Sequence, residues 1–215
     1  HLDEHLARLQ RAANHFGFPF DKTVIANAVK QSMASEPLDC HASLAVTGSG
    51  SSKVCNDGGA WRVRLLLDAS GRAHAQVFAL PPSPTLVTLQ LANAPFEEAQ
   101  SEFTRFKTTH RAHYEAFAPS DPAVFDTLLY NAAGELTECT RGNIALLLDG
   151  RWVTPPLRCG LLDGIGREMA LKDGRLLEAV VRVDDLPRVQ ALAFVNSLRG
   201  CLPARWLPAH PQPNL

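Results

Sequence analysis

An α/β fold in two domains is what this chain of 215 residues predicts. Two observations carry the prediction. Apolar residues at helical spacing near the start give way to alternating strands, and strands, tight turns and a helix then follow in mixed order. Between the two stretches lies Ala94-Pro95-Phe96-Glu97-Glu98, which reads as a linker. The expected boundaries are a small α/β domain over 1–97 and a larger α/β domain over 98–215.

The elements can be justified in order. Leu2, Leu6, Leu9, Ala13 and Phe16 recur at helical spacing, and Gly17 ends that run. Asp21 is placed to cap a second helix through Val24, Ile25, Ala28, Val29 and Met33. Residues 47–59 are rich in Gly and Ser and read as a loop. Residues 61–68 alternate around Arg62 and Arg64, and Ala69-Ser70-Gly71 turns the chain into 72–80, a β-hairpin. A strand follows over 85–93. Beyond the linker come the segment 103–111, a strand over 125–130, a turn over 131–134 and a strand over 143–148. Asp149-Gly150 is a two-residue hairpin signal. A helix from Ile165, a strand near 180–183 and a strand over 191–196 complete the order. Pro203, Pro208, Pro211 and Pro213 mark the end as an irregular tail.

A net charge of −1, with 20% charged and 46% hydrophobic residues, describes an ordinary globular protein. No basic stripe points to nucleic acid, no apolar run reaches membrane-spanning length, and no signal peptide is visible. Cys40, Cys55, Cys139, Cys159 and Cys201 are odd in number and form no CxxC pair, which favours reduced thiols in a cytoplasmic compartment. The eight histidines pair with no cysteine at ligand spacing, so no metal is expected.

The unusual chemistry is concentrated in one place. Lys107, one of five lysines, stands 31 positions before Glu138-Cys-Thr-Arg-Gly-Asn143. A strand, Thr154-Pro155-Pro156 and Gly160-Leu-Leu-Asp-Gly164-Ile165-Gly166-Arg167 follow. A lysine amine condenses with an aldehyde. A carboxylate pairs with a protonated ring nitrogen. Backbone N–H groups at a helix start grip a phosphate dianion. Pyridoxal 5′-phosphate has all three handles.

This order and spacing resemble the class IV aminotransferases, the fold-type IV pyridoxal-phosphate enzymes. That family includes branched-chain and D-amino-acid aminotransferases and 4-amino-4-deoxychorismate lyase. Its signature has a Glu, an Asn five residues on, a Thr after a strand and a closing Gly-hydrophobic-x-Arg. Here these are Glu138, Asn143, Thr154 and Gly164-Ile165-Gly166-Arg167. Ala145 stands where the family usually has an aromatic and Trp152 where it has an aliphatic residue; both read as packing variation. The resemblance implies a two-domain fold like that of D-amino-acid aminotransferase. It also implies a strand hairpin before the first helix, so the chain, which starts at His1, is expected to be truncated at its N-terminus or cut from a longer polypeptide.

The resemblance also implies roles, each set against a plainer reading. Lys107 is the covalent cofactor lysine rather than a solvated one, with Phe103 and Phe106 making it at least partly buried. Glu138 is the partner of the pyridinium nitrogen rather than an exposed strand-end carboxylate. Arg8, in His5-Leu6-Ala7-Arg8-Leu9, is the phosphate arginine rather than a helix-surface residue. Ile165 and Gly166 offer backbone N–H groups to the phosphate, and Ser197, in Asn196-Ser197-Leu198-Arg199, a hydroxyl and an N–H. Arg64, His110 and Leu198 are substrate-side candidates. For His110, Arg111 and Tyr114 the readings stay open: reaching the cofactor O3′ or the substrate, standing behind the residues that do, or facing solvent.

Lys-Thr-Thr-x-Arg and Asn196-Ser-Leu-Arg-Gly200 resemble the lyase branch, which forms 4-aminobenzoate and pyruvate on the folate route. The alternative is an aminotransferase for a branched-chain or D-amino acid with 2-oxoglutarate. A third reading is a non-enzymatic domain kept within a fused synthase. The family implies a homodimer, and the start of the chain suggests fusion to a chorismate-using synthase.

Overall fold

The computed structural model describes residues 1–34 and 60–207, in two compact units, His1–Pro82 and Ser83–Leu215. The loop expected over 47–59, two of the cysteines (Cys40 and Cys55) and the last three prolines lie outside the described residues.

The first unit holds α1 (Leu2–Phe16), α2 (Lys22–Ala34), β1 (Ala60–Leu67) and β2 (Ala73–Leu80). Gly17 ends α1 with a left-handed φ of 71°, and the Phe18 N–H then bonds the Ala13 carbonyl at 2.8 Å. Asp21 caps α2 as expected, its Oδ1 accepting the Thr23 N–H at 2.7 Å. β1 and β2 pair antiparallel over their full length, with Arg62 and Arg64 exposed and Trp61, Val63 and Leu65 half-buried. At the turn Asp68 Oδ1 accepts the N–H groups of Ser70 and Arg72. Gly71 is required there: its φ is 79°, and a Cβ would lie 2.7 Å from Pro19.

The second unit is built on a sheet of eight strands, in the order β5-β4-β3-β10-β9-β6-β7-β8. In chain order they are β3 (Val87–Leu91), β4 (Asp126–Tyr130), β5 (Leu136–Cys139), β6 (Asn143–Leu148), β7 (Arg151–Thr154), β8 (Leu177–Glu178), β9 (Ala191–Asn196) and β10 (Gly200–Trp206). Two one-turn helices, α3 (Glu102–Arg105) and α4 (Ala112–Glu115), lie between β3 and β4, and α5 (Ile165–Lys172) lies between β7 and β8. β3 is parallel to both β4 and β10. Because it sits between them, the division of the chain falls before β3 at Pro82/Ser83, and not at residue 97 as the linker composition led us to expect.

Alternation along the strands makes two apolar faces. Ile144, Leu146, Leu192 and Phe194 join Val87, Leu89 and Leu202 in the main core. Ala145, Ala193 and Val195 face the other way, against Ala170 of α5 and Leu176. Small Ala145 thus belongs to a layer of small residues. Trp152 is partly exposed, at 37%, on β7.

Two expectations need correction. The strand expected near 180–183 is only an isolated bridge from Arg182 to Glu135, with the Leu136 N–H bonding Val181 O at 2.8 Å; the regular strand β8 lies earlier and Val183 opens a 3₁₀ turn. The proline-marked tail is regular up to Trp206, since Pro203 lies inside β10. Pairing of β10 with β3 begins only at Ala204, so at Pro203 the strand is open on that side. The hairpin at Asp149-Gly150 forms as expected, with φ of 50° and 75°. No helix among the described residues is long and apolar enough to cross a membrane.

Candidate active site

Glu138 is a buried carboxylate on β5, next to a tight turn into β6. That turn is held from below. The buried Asp126 accepts the Thr140 hydroxyl at 2.6 Å and the N–H groups of Thr127 and Arg141 at 2.8 and 3.1 Å. Gly142 lets the turn pass Phe194, whose ring would lie 2.5 Å from a Cβ.

Three donors reach Glu138. The Tyr114 hydroxyl donates to Oε1 at 2.7 Å, the Leu162 N–H donates to the carboxylate, and Asn143 Nδ2 lies 3.5 Å from Oε2. Asn143 Nδ2 also donates to Leu162 O at 3.0 Å. Burial pushes Glu138 up to about 7, while the bonds from Tyr114 and Leu162 and the charges of Lys107 and Arg111 pull it down. A carboxylate so placed is a poor element of a core and a good counter-ion for a cation.

The segment before β4 supplies Lys107 and Tyr114. Ser101 Oγ caps α3 by accepting the Phe103 N–H at 3.2 Å, and the buried Thr104 hydroxyl bonds Glu98 O at 2.7 Å. Lys107 follows in the loop and is exposed, not partly buried, because α3 turns only Thr104 fully inward and leaves Phe103 and Phe106 half-buried. His110 is also exposed, its ring 4.5 Å from that of Phe103. Tyr114 is buried on α4 and stacked on Phe96 at 5.3 Å. The Arg111 guanidinium lies 4.6 Å from the Tyr114 ring and donates to Thr140 O.

The start of α5 closes the site from another direction. Gly164, at its N-cap, offers no side-chain cap, so the first-turn N–H groups at Ile165 and Gly166 keep their donor capacity. A Cβ on Gly164 would lie 2.1 Å from Asn143 Oδ1, so helix start and Asn143 touch. A Cβ on Gly166 would lie 2.8 Å from the Asn196 carbonyl carbon and 3.0 Å from Ser197 N. The first turn of α5 and the 196–199 turn are therefore pressed together. Asn196 Oδ1 shapes that turn by accepting the N–H groups of Leu198 and Arg199 at 3.1 and 2.8 Å. Ser197 and Leu198 are half-buried.

The other signature residues brace this arrangement. The buried Arg167 guanidinium donates to Pro155 O at 2.9 Å and to Glu178, and lies 3.6 Å from Asp163. The Thr154 hydroxyl donates to Ile144 O at 2.8 Å. They hold α5 and β7 in place.

Of the residues singled out in the sequence, Lys107 acts electrostatically on Glu138, Asn143 links Glu138 to the start of α5, and Gly166 meets Ser197. Arg8 lies on α1, half-buried with its guanidinium 3.4 Å from His5 Nδ1, and Arg64 is exposed on β1. Both belong to the first unit, and the roles expected for them rest on the resemblance alone. Sequence reasoning left Tyr114 open between contact with the cofactor or substrate, a place behind the residues that make it, and solvent; its hydroxyl goes to Glu138. It also gave Asn143 no site role. The signals were the five-residue spacing from Glu138 to Asn143 and a tyrosine, one of two, close after Lys107.

The model of the family "Amino-transferase class IV" matches residues 1–207. A putative aminodeoxychorismate lyase of Schizosaccharomyces pombe is 34% identical over 149 residues, 64% of this chain and 63% of that protein. The chain thus spans less than two thirds of that relative's length. The crystal structure of a putative amino-acid aminotransferase from Mesorhizobium loti is 31% identical with a TM-score of 0.80, covering 96% of this chain and 91% of that one. An aminotransferase from Brucella abortus bound to the cofactor PLP shares the fold at 14% identity, with a TM-score of 0.74 over 97% of this chain and 76% of that one. The chain belongs to the class IV aminotransferase family, and with it to the pyridoxal-phosphate-dependent enzymes.

Proposed function

We propose that the second unit holds pyridoxal phosphate between Lys107, Glu138 and the start of α5, and that the chain carries out 4-amino-4-deoxychorismate cleavage to 4-aminobenzoate and pyruvate. The observation that carries the site is the buried Glu138 carboxylate, drawn on by the Lys107 charge and tied through Asn143 to a helix start without a side-chain cap. The residues fit the group: an accessible amine, an anion for a ring N–H, and free backbone donors for a phosphate.

When bound, the cofactor supplies an aldehyde for covalent attachment and a ring that accepts negative charge from the substrate carbon. Lys107 would hold the cofactor covalently and, as a free amine, would take the proton from the substrate carbon bearing nitrogen. Glu138 holds a proton at the ring nitrogen. Ile165 and Gly166 N–H groups and Ser197 would hold the phosphate, and His110 and Leu198 are assigned to the substrate side; the roles of Arg8 and Arg64, in the first unit, rest on the resemblance alone. Departure of enolpyruvate from the adjacent carbon aromatises the ring, and the Lys107 ammonium would give its proton to the methylene carbon of enolpyruvate, which becomes pyruvate.

The Lys-Thr-Thr-x-Arg and Asn-Ser-Leu-Arg-Gly contexts support the lyase, as does the 34% identical relative. A second reading, an amino-acid aminotransferase, is favoured by the likeness to the Mesorhizobium loti protein. A homodimer, a cytoplasmic setting and fusion to a synthase belong to the same proposal. Incubation with aminodeoxychorismate alone, beside an amino acid plus 2-oxoglutarate, separates the readings. The lyase yields 4-aminobenzoate and pyruvate in the first tube; turnover confined to the second would replace it with the aminotransferase.

A further inference from the structure

We propose that Tyr114 is a positioning residue for Glu138: its hydroxyl fixes the carboxylate's orientation and favours its ionised form, so that Glu138 can hold the cation opposite it. The inference rests on the reading of Glu138 as ring partner and adds a residue that lies outside the family signature.

The geometry separates this tyrosine from an ordinary core residue. Tyr114 is buried, yet its hydroxyl is spent on one carboxylate oxygen at 2.7 Å. Burial and the neighbouring Glu138 charge push the phenol well above its ordinary range, so it acts as a fixed donor and never as a competing anion. The ring cannot swing away. Phe96 stacks on it at 5.3 Å, His113 packs at 4.3 Å, and the Arg111 guanidinium lies 4.6 Å from its centroid. Arg111 is itself anchored on Thr140 O, across the turn that carries Glu138.

The groups acting on Glu138 come from every side. They are Tyr114 on α4, Lys107 and Arg111 before it, Asn143 on β6 and the Leu162 N–H before α5. Cys139 is the titratable neighbour on β5 itself; burial and the adjacent carboxylates push its thiol up, so it stays neutral. Among these groups Tyr114 makes the short side-chain bond, and the two cations act through space. A bond donated to the ionised form lowers a carboxylate's pKa. Losing it raises Glu138 further, so less of it is ionised near neutrality.

The test is Tyr114→Phe, which keeps the ring and its packing. In the full chain carrying its cofactor, the acid limb of turnover should move up by about one pH unit, with an activity loss of about fivefold at pH 7 and little change at pH 9. In the chain freed of cofactor, the Glu138 carboxyl followed by ¹³C NMR should titrate at higher pH than in the wild type. In a Glu138→Gln background the second substitution should cost nothing more, because Tyr114 acts through Glu138. An unshifted acid limb and an unchanged carboxyl titration would overturn the inference. If Glu138→Gln alone stays within a few-fold of wild type, the reading of Glu138 as ring partner fails instead, and the carboxyl titration still decides the Tyr114 bond.

Discussion

Glu138 is held at a cost to the fold that carries it. Its ordinary pKa is 4.5, and in the folded chain burial raises it to about 7. At and below pH 4 the group is protonated in both states and takes nothing from stability. As pH rises from 4.5 to 7 the unfolded carboxyl ionises first, so stability without cofactor falls; above 7 the loss levels off at about 3 kcal/mol. Glu138→Gln should therefore stabilise the cofactor-free chain in urea at pH 8, by an amount of order 1–3 kcal/mol after the lost bonds to Leu162 and Asn143. The gain should vanish at pH 4.5. Equal stability of the two proteins at both pH values would contradict a raised Glu138. The sequence singled out Lys107 and Glu138 because their residue types and spacing carry chemistry. The Tyr114 bond and the exposure of Lys107 were not legible there, because the partner of a hydroxyl and the burial of an amine depend on contacts made across the fold.

The joint between α5 and the 196–199 turn explains why this chain has glycine at 166. At Gly166 an added methyl meets backbone atoms of Asn196 and Ser197 at 2.8–3.0 Å, and backbone cannot step aside as a flexible side chain can. Gly166→Ala should cost about 1–3 kcal/mol of stability. It should also weaken cofactor binding by about tenfold or more, read as quenching of intrinsic fluorescence on titration. Unchanged affinity would remove the two segments from the phosphate site. The strongest local signals, the α1 periodicity with Gly17, the Asp21 cap and the Asp149-Gly150 turn, all formed as read. Strand β10 was hidden by Pro203, which breaks a strand only where a partner needs its N–H. Strand β5 and helix α4, of four residues each, are too short to show a period.

At the scale of the molecule, composition and element order pointed to two α/β parts, and two compact units are present. The linker was misread because β3 precedes it in sequence yet pairs with β4 and β10 of the second unit. Parallel pairing joins segments distant in sequence, and such partners leave no local trace. The central claim is that this second unit carries its cofactor on Lys107, beside Glu138. Reduction of the cofactor-loaded chain with borohydride, followed by peptide mass mapping, tests it directly. A single adduct on the peptide containing Lys107, abolished by Lys107→Ala, is the result expected; an adduct on Lys22, Lys30, Lys53 or Lys172 would contradict it.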